Sequence, residues 1–194
     1  MIRTLVIFLL CVWHFGSFAA VTITFSQVGS NVQAVATGNL NLTGLSNNAP
    51  GTPNARVRAA GTGANVVIGP ISSSSADGYT PITGPNDIGT STSSIDADLG
   101  SGGSFGINMA TPSRLLVPQG FSGGSVSATS TWSNSTMVGL GLSPGTYVYT
   151  WPGDSLTIII PTPNAIPTLD DWAKLLMALM MFLTWFWYHR KNSL

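Results

Sequence analysis

Between residues 20 and 160 the side chains that could do chemistry are few in kind. They are five aspartates (Asp77, Asp87, Asp96, Asp98 and Asp154), three arginines (Arg56, Arg58 and Arg114) and a handful of Trp and Tyr residues. The stretch has no Cys, His, Lys or Glu. General-base work, usually done by His, Glu or Lys, would fall to aspartate alone. A serine nucleophile would have no His or Lys to activate it, and a His/Cys metal site has no ligands. Two aspartates facing each other across a cleft could hydrolyse a glycosidic bond, but nothing in their context groups them that way. The reading is therefore non-enzymatic and without a cofactor.

Binding chemistry is less restricted. Asp96-Ala97-Asp98 lies in a Ser/Gly-rich stretch, so Asp96 and Asp98 are the candidate Ca²⁺ ligands; in the alternative they solvate a loop and form turns. Arg56 and Arg58 would share one face of a strand, where they either blunt an exposed edge or touch an acidic polysaccharide. Tyr147, Tyr149 and Trp151 stand at i, i+2, i+4 and form either a core face or, with Trp132 and Tyr79, a platform for sugar rings. The core is the better assignment. Asn41-Leu42-Thr43 and Asn134-Ser135-Thr136 match the glycosylation sequon and are expected to be idle. Nucleic acid is not an expected partner, because three dispersed arginines make no basic patch.

The elements that must position these residues are short alternating stretches separated by turn clusters. They are Val21–Phe25, Val32–Thr37, Leu40–Thr43, Val66–Ile68, Phe105–Met109, Leu115–Val117, Val126–Trp132, Tyr147–Trp151 and Leu156–Ile160. Gly29-Ser30 is expected to link the first two, and Pro152-Gly153 to turn the last two into a hairpin. Residues 72–104, mostly Ser, Gly, Thr and Asp, read as long loops with one short strand at most. No amphipathic helix of normal length is visible. The expected fold of residues 20–160 is all-β, a two-sheet sandwich of which a jelly roll would be one form. A right-handed β-helix is the alternative, without a fixed-period repeat to support it.

The rest of the chain reads as targeting sequence. Only 7% of the 194 residues are charged, against about 25% in an average soluble domain, and two long apolar runs lie at the ends. At the start, Arg3 precedes an apolar run from Leu5 to Phe15 and then small residues. That is the pattern of a secretory signal peptide over 1–19, with Ser17 and Ala19 in the peptidase subsites. Cys11, the single cysteine, lies mid-run behind Leu10, which does not suit lipidation, and its removal with the signal would leave no disulfides.

At the other end, 161–171 is a proline-broken linker, and no helix is expected before about Thr168. Residues 172–188 are apolar apart from Lys174 and Thr184, so they are expected to form a transmembrane helix. Aromatic residues lie near its ends, and the basic tail 189–194, through Arg190 and Lys191, is expected to stay in the cytoplasm.

Ile166-Pro167-Thr168-Leu169, two residues, Trp172, a short apolar span and a basic end together resemble the IPTL-CTERM sorting signal, a relative of the PEP-CTERM signals. The resemblance covers residues 166–191. It implies recognition by an exosortase-type membrane protease, retention in the inner membrane as a precursor, then delivery to the cell surface or extracellular matrix, often in the company of exopolysaccharide and biofilm genes. Ile166, Pro167, Thr168, Leu169 and Trp172 would be recognition elements and not an active site. The tail departs from the family in carrying fewer basic residues than the usual Arg cluster.

The middle is similar to small exported domains of the same proteins. The similarity lies in Val21–Phe25, Gly38–Leu45, Gly78-Tyr79-Thr80 with Thr83-Gly84-Pro85, and Leu142–Trp151, although Pro152-Gly153 replaces their longer Gly-rich turn. This similarity implies fold and localisation, and no activity.

Overall fold

Alternation builds the first hairpin. Val21, Ile23 and Phe25 of β1 (Val21–Val28) point inward and are fully buried, as are Val32, Ala34 and Ala36 of β2 (Asn31–Leu40). Gly29-Ser30 closes them with Val28 opposite Asn31. Gly29 takes φ 60, which costs a glycine little. Further along come β3 (Ser46–Asn47), β4 (Arg56–Arg58), β5 (Asn65–Ile68), β6 (Ala76–Thr80), β7 (Ile95–Asp96), β8 (Leu99–Gly102), β9 (Phe105–Asn108), β10 (Arg114–Pro118), β11 (Gly124–Trp132), β12 (Gly145–Trp151) and β13 (Asp154–Ile160). The computed structural model of the chain describes residues 20–162 and 169–191. The signal-peptide assignment with Ser17 and Ala19, the motif residues Ile166, Pro167 and Thr168, and the last three residues lie outside them.

The strands form two sheets, in the orders β12-β13-β1-β2-β11-β8 and β3-β6-β10-β9-β5-β4-β7. Their inner faces share one hydrophobic core, so the domain is all-β with two layers. The final strand β13 runs parallel to β1, with Val21 opposite Leu156 and Ile23 opposite Ile158. That pairing departs from an all-antiparallel jelly roll. The chain changes sheet between the edge strands β7 and β8, where Asp98 N donates to Thr131 O at 2.9 Å.

Packing across the core is complementary in size. Ala34 is paired with both Phe25 and Ser130, and this small row lets Phe25 stack on Trp132 at 6.0 Å between centroids. Ser130, fully buried, accepts from Gly69 N at 3.0 Å and donates to Gly69 O at 3.3 Å, which ties β11 to the turn after β5. A hydroxyl satisfied at both lone pair and proton carries no burial penalty.

Two expectations fail here. Leu40–Thr43 is not a strand of its own: Leu40 ends β2, and Asn41 Oδ1 accepts Thr43 N at 3.0 Å in an Asx turn. Residues 72–104 hold three strands, β6, β7 and β8. The alternate residues Ala76, Gly78 and Thr80 of β6 are small because the neighbouring chain passes against them. A Cβ on Gly78 would stand 1.9 Å from Ala49 O.

Tyr149 is fully buried, and its hydroxyl has no hydrogen-bond partner. Burial first, then the charges of Tyr147 and Asp87, push its phenol well above the ordinary range. Two results follow. Tyr149→Phe should stabilise the domain by about 1 kcal/mol at neutral pH, since it removes an unsatisfied buried group. The unfolded phenol ionises near pH 10 while the folded one stays protonated. Wild-type stability should therefore fall as pH rises above about 10, and the phenylalanine variant should escape that part of the loss. Urea titrations at pH 7 and pH 11 would show both effects, and an equal alkaline loss in the two proteins would refute the assignment.

The tail forms a separate unit whose helix α1 (Leu169–Lys191) has 23 residues, about 35 Å at 1.5 Å each. It starts where the prolines end, as expected. The transmembrane expectation for 172–188 needs correction: among the described residues no helix is long and apolar enough to cross a membrane. Uninterrupted aliphatic and Phe character runs only from Leu175 to Leu183, about 14 Å of helix. Lys174 precedes it, and Thr184, three Trp and Tyr rings, His189 and Arg190 follow. Within the helix, Thr184 Oγ1 donates back to Met181 O at 2.9 Å, and the Trp185 and His189 rings meet at 4.7 Å.

Candidate functional site

The β4-β5-β9-β10 portion of the second sheet aligns polar side chains on its outer face. Arg58 is paired with Asn65, Asn65 with Asn108, and Asn108 with Arg114. Val57, Val66, Ile107 and Leu115 alternate with them and are buried in the core, so strand periodicity sends this polar row outward. The next row is Arg56, Val67, Gly106 and Leu116. Gly51-Thr52-Pro53 completes a cavity of about 240 Å³ with Arg56, Asn65, Asn108, Arg114 and Leu116. That segment is held by the Gly51–Ala76 bridge and by Ser74 N donating to Pro53 O at 3.1 Å.

The cations differ in how they are engaged. Arg58 donates through Nε and Nη2 to Gly63 O, at 3.1 and 3.0 Å, and does not line the cavity. Arg56 Nη2 donates to Asn54 Oδ1. Its Nε lies 3.3 Å from Asp96 Oδ1, a charge contact without hydrogen-bond geometry, since Nε has no hydrogen-bond partner. Both members of the pair keep solvent exposure, so it stabilises by about 0–1 kcal/mol at most. Arg114 Nη1 reaches Ala49 O only at 3.4 Å, and among the described residues it forms no salt bridge. Asn108 Oδ1 accepts Ala110 N at 2.9 Å. Asn65 Oδ1 is buried with no partner.

The other candidates are already occupied by structural roles. Asp96 faces Arg56, while Asp98 Oδ2 accepts Ser133 N at 2.6 Å, so the two proposed Ca²⁺ ligands serve different partners. Among the described residues no three His, Cys, Asp or Glu side chains gather as a metal site would need. Asp77 caps Gly120 N and Asp154 caps Asn41 N, each at 2.8 Å. The aromatic strip is core: Tyr149, Trp151 and Trp132 are buried, and Tyr147 and Tyr79 pack against the same cluster. A sugar platform on that face is ruled out. A second depression beside Phe105 and Phe121 has no charged lining.

Sequence reasoning reached Arg56 as a strand residue and missed Asn65, Asn108, Arg114 and the Gly51–Pro53 segment as its neighbours. The β9–β10 hairpin could have placed Asn108 opposite Arg114. Nothing local signals that this hairpin pairs with β5. No family model, no curated protein and no solved structure matches the chain.

Proposed function

We propose that the chain is a non-enzymatic, exported protein of the cell surface or biofilm matrix, held at the membrane by its C-terminal helix and handed on by an exosortase-like protease that reads Ile166 to Leu169 and Trp172. The observation that carries this reading is the helix itself. From Leu175 to Tyr188 its large apolar side chains are exposed on every side, from 54% for Leu183 to 69% for Trp187. A helix apolar all round needs an apolar surrounding, and a stretch too short to cross a bilayer finds one by lying in the membrane interface. The apolar leader before residue 20 and the Ile-Pro-Thr-Leu sequence add export and sorting to that attachment.

The test is intact mass and fractionation of the native protein beside a variant with Ile166–Leu169 replaced by alanines. The native protein should lose Arg190 and Lys191 and leave the inner membrane, and the variant should stay there with its tail intact. If both keep the tail and stay, the sorting reading is lost. If both are free of membrane at full length, the attachment is lost as well.

A second reading, a carbohydrate-binding module for exopolysaccharide, is favoured by one observation. The Arg56–Arg114 cavity is polar, open and built on a rigid sheet. Such a site suits a hydroxylated ligand better than an apolar one.

A further inference from the structure

We propose that the cavity between Gly51–Pro53 and the outer face of the second sheet binds a carboxylate-bearing sugar unit, a uronic acid residue of an acidic polysaccharide. This rests on the carbohydrate reading and narrows it to one chemical class and one place.

Charge points the same way. Two of the three arginines of residues 20–160 line the same cavity. Asp96 pairs with Arg56, and among the described residues no carboxylate pairs with Arg114. Guanidinium groups present forked donors that match a carboxylate in two parallel hydrogen bonds. Arg56 Nε is a buried donor still without such a bond.

Asn65 sets the rest of the ligand. Its side chain lines the cavity and its Oδ1 is a buried acceptor without a donor, a state that a hydroxyl donor would relieve. Sulfate brings no hydroxyl for it and phosphate brings one only on the anion itself, whereas a uronate brings ring hydroxyls set apart from its carboxylate on the same unit. The volume of about 240 Å³ lies below the range of drug-sized pockets, roughly 300–1,000 Å³, and suits one sugar ring with the neighbouring units of the polymer outside. The exposed edges of the cavity permit such a chain to continue.

The experiment measures binding of trigalacturonate and of the neutral maltotriose to the full-length chain in detergent, by calorimetry and ligand-observed NMR. Trigalacturonate should bind and maltotriose should not. Arg114→Gln and Arg56→Gln should each weaken trigalacturonate binding about tenfold or more, the loss expected for a charge-assisted hydrogen bond. Arg58→Gln removes the same charge outside the cavity and should change binding less than about twofold. Asp96→Asn should strengthen it. Thermal melts identify any variant that fails to fold, and Arg114, which holds only one long hydrogen bond, is the safer substitution.

Equal losses in the Arg58 and Arg114 variants would overturn the proposal in favour of diffuse charge attraction. Displacement by an equal concentration of inorganic phosphate would overturn it in favour of a general anion site. Binding of maltotriose alone would refute the acidic ligand and leave the carbohydrate reading standing. Binding of neither sugar would refute both, while the sorting proposal would still be decided separately by fractionation.

Discussion

Replacing Trp132 with alanine should lower the unfolding free energy of the β domain by about 3–5 kcal/mol. The indole ends β11 at 1% exposure and stacks on Phe25 at 6.0 Å and 30°. Its Nε1 donates to Ile95 O at 3.1 Å. Ile95 belongs to β7, at the edge of the other sheet, so one side chain fills the core and ties its two layers. Truncation leaves a cavity that cannot collapse, because the surrounding strands are fixed by their ladders, and it orphans the Ile95 carbonyl. Against a typical domain stability of about 5–15 kcal/mol, such a loss is large. Trp132→Phe should recover the stacking and still lose about 1 kcal/mol for the missing donor. Urea unfolding of both variants provides the measurement. A loss under about 1 kcal/mol for the alanine would mean that the indole is not the cross-sheet tie described.

The next largest effect is expected at Asp154, where alanine should cost about 2–4 kcal/mol. This side chain is 4% exposed, yet it is fully engaged. Oδ2 accepts Asn41 N at 2.8 Å, and Oδ1 accepts Ser155 N at 2.7 Å. Trp151 Nε1 donates to Asn41 O at 2.8 Å, so the β12–β13 turn holds one distant residue, Asn41, by both its backbone N–H and its C=O. Losing the carboxylate strands two amide donors, each costing about 1–3 kcal/mol where water cannot replace it. Asp154→Asn keeps one carbonyl acceptor and should recover part of the loss. Faster hydrogen exchange at the Asn41 amide than at the β1–β2 ladder would accompany it. Unchanged exchange at Asn41 would show that the carboxylate does not hold that loop.

Much of the β framework is legible in the chain because a strand that faces a core must alternate. Val21 to Phe25 and Leu156 to Ile160 write that alternation in large apolar residues. Gly29-Ser30 and Pro152-Gly153 mark the turns between them. Alternation is silent where the buried residues are small. Ala76, Gly78 and Thr80 alternate in burial along β6, but none is large enough to stand out against the Ser and Gly around them. Gly100 of β8 is equally silent, and its reason is distant: a Cβ there would stand 1.8 Å from Gly69 O. Leu40–Thr43 misleads in the opposite sense. It alternates like a strand, yet its backbone partner is a carboxylate 113 positions away.

The tail was read correctly as a helix beginning after the prolines, because proline fixes where a helix cannot start. Its length does not make it a membrane span: the aromatic and charged residues that suggest an interface belt fill its last turns and leave the aliphatic stretch short.

The cavity beside Gly51–Pro53 shows most clearly where the sequence stops being informative. Residue types alone excluded His, Cys, Lys and Glu chemistry from the β domain, since a missing functional group cannot be supplied by folding. They also placed Arg56 and Arg58 on one strand face, because the period of two is local. They could not say that Arg58 turns to Gly63 O while Arg56 joins Arg114 and Asn65. That outcome depends on β5 pairing with β9, on β9 pairing with β10 and on Gly51–Pro53 lying beside the sheet. Strand pairing is decided by which distant faces bury together and which distant amides find acceptors, and those energies exist only once the chain has folded.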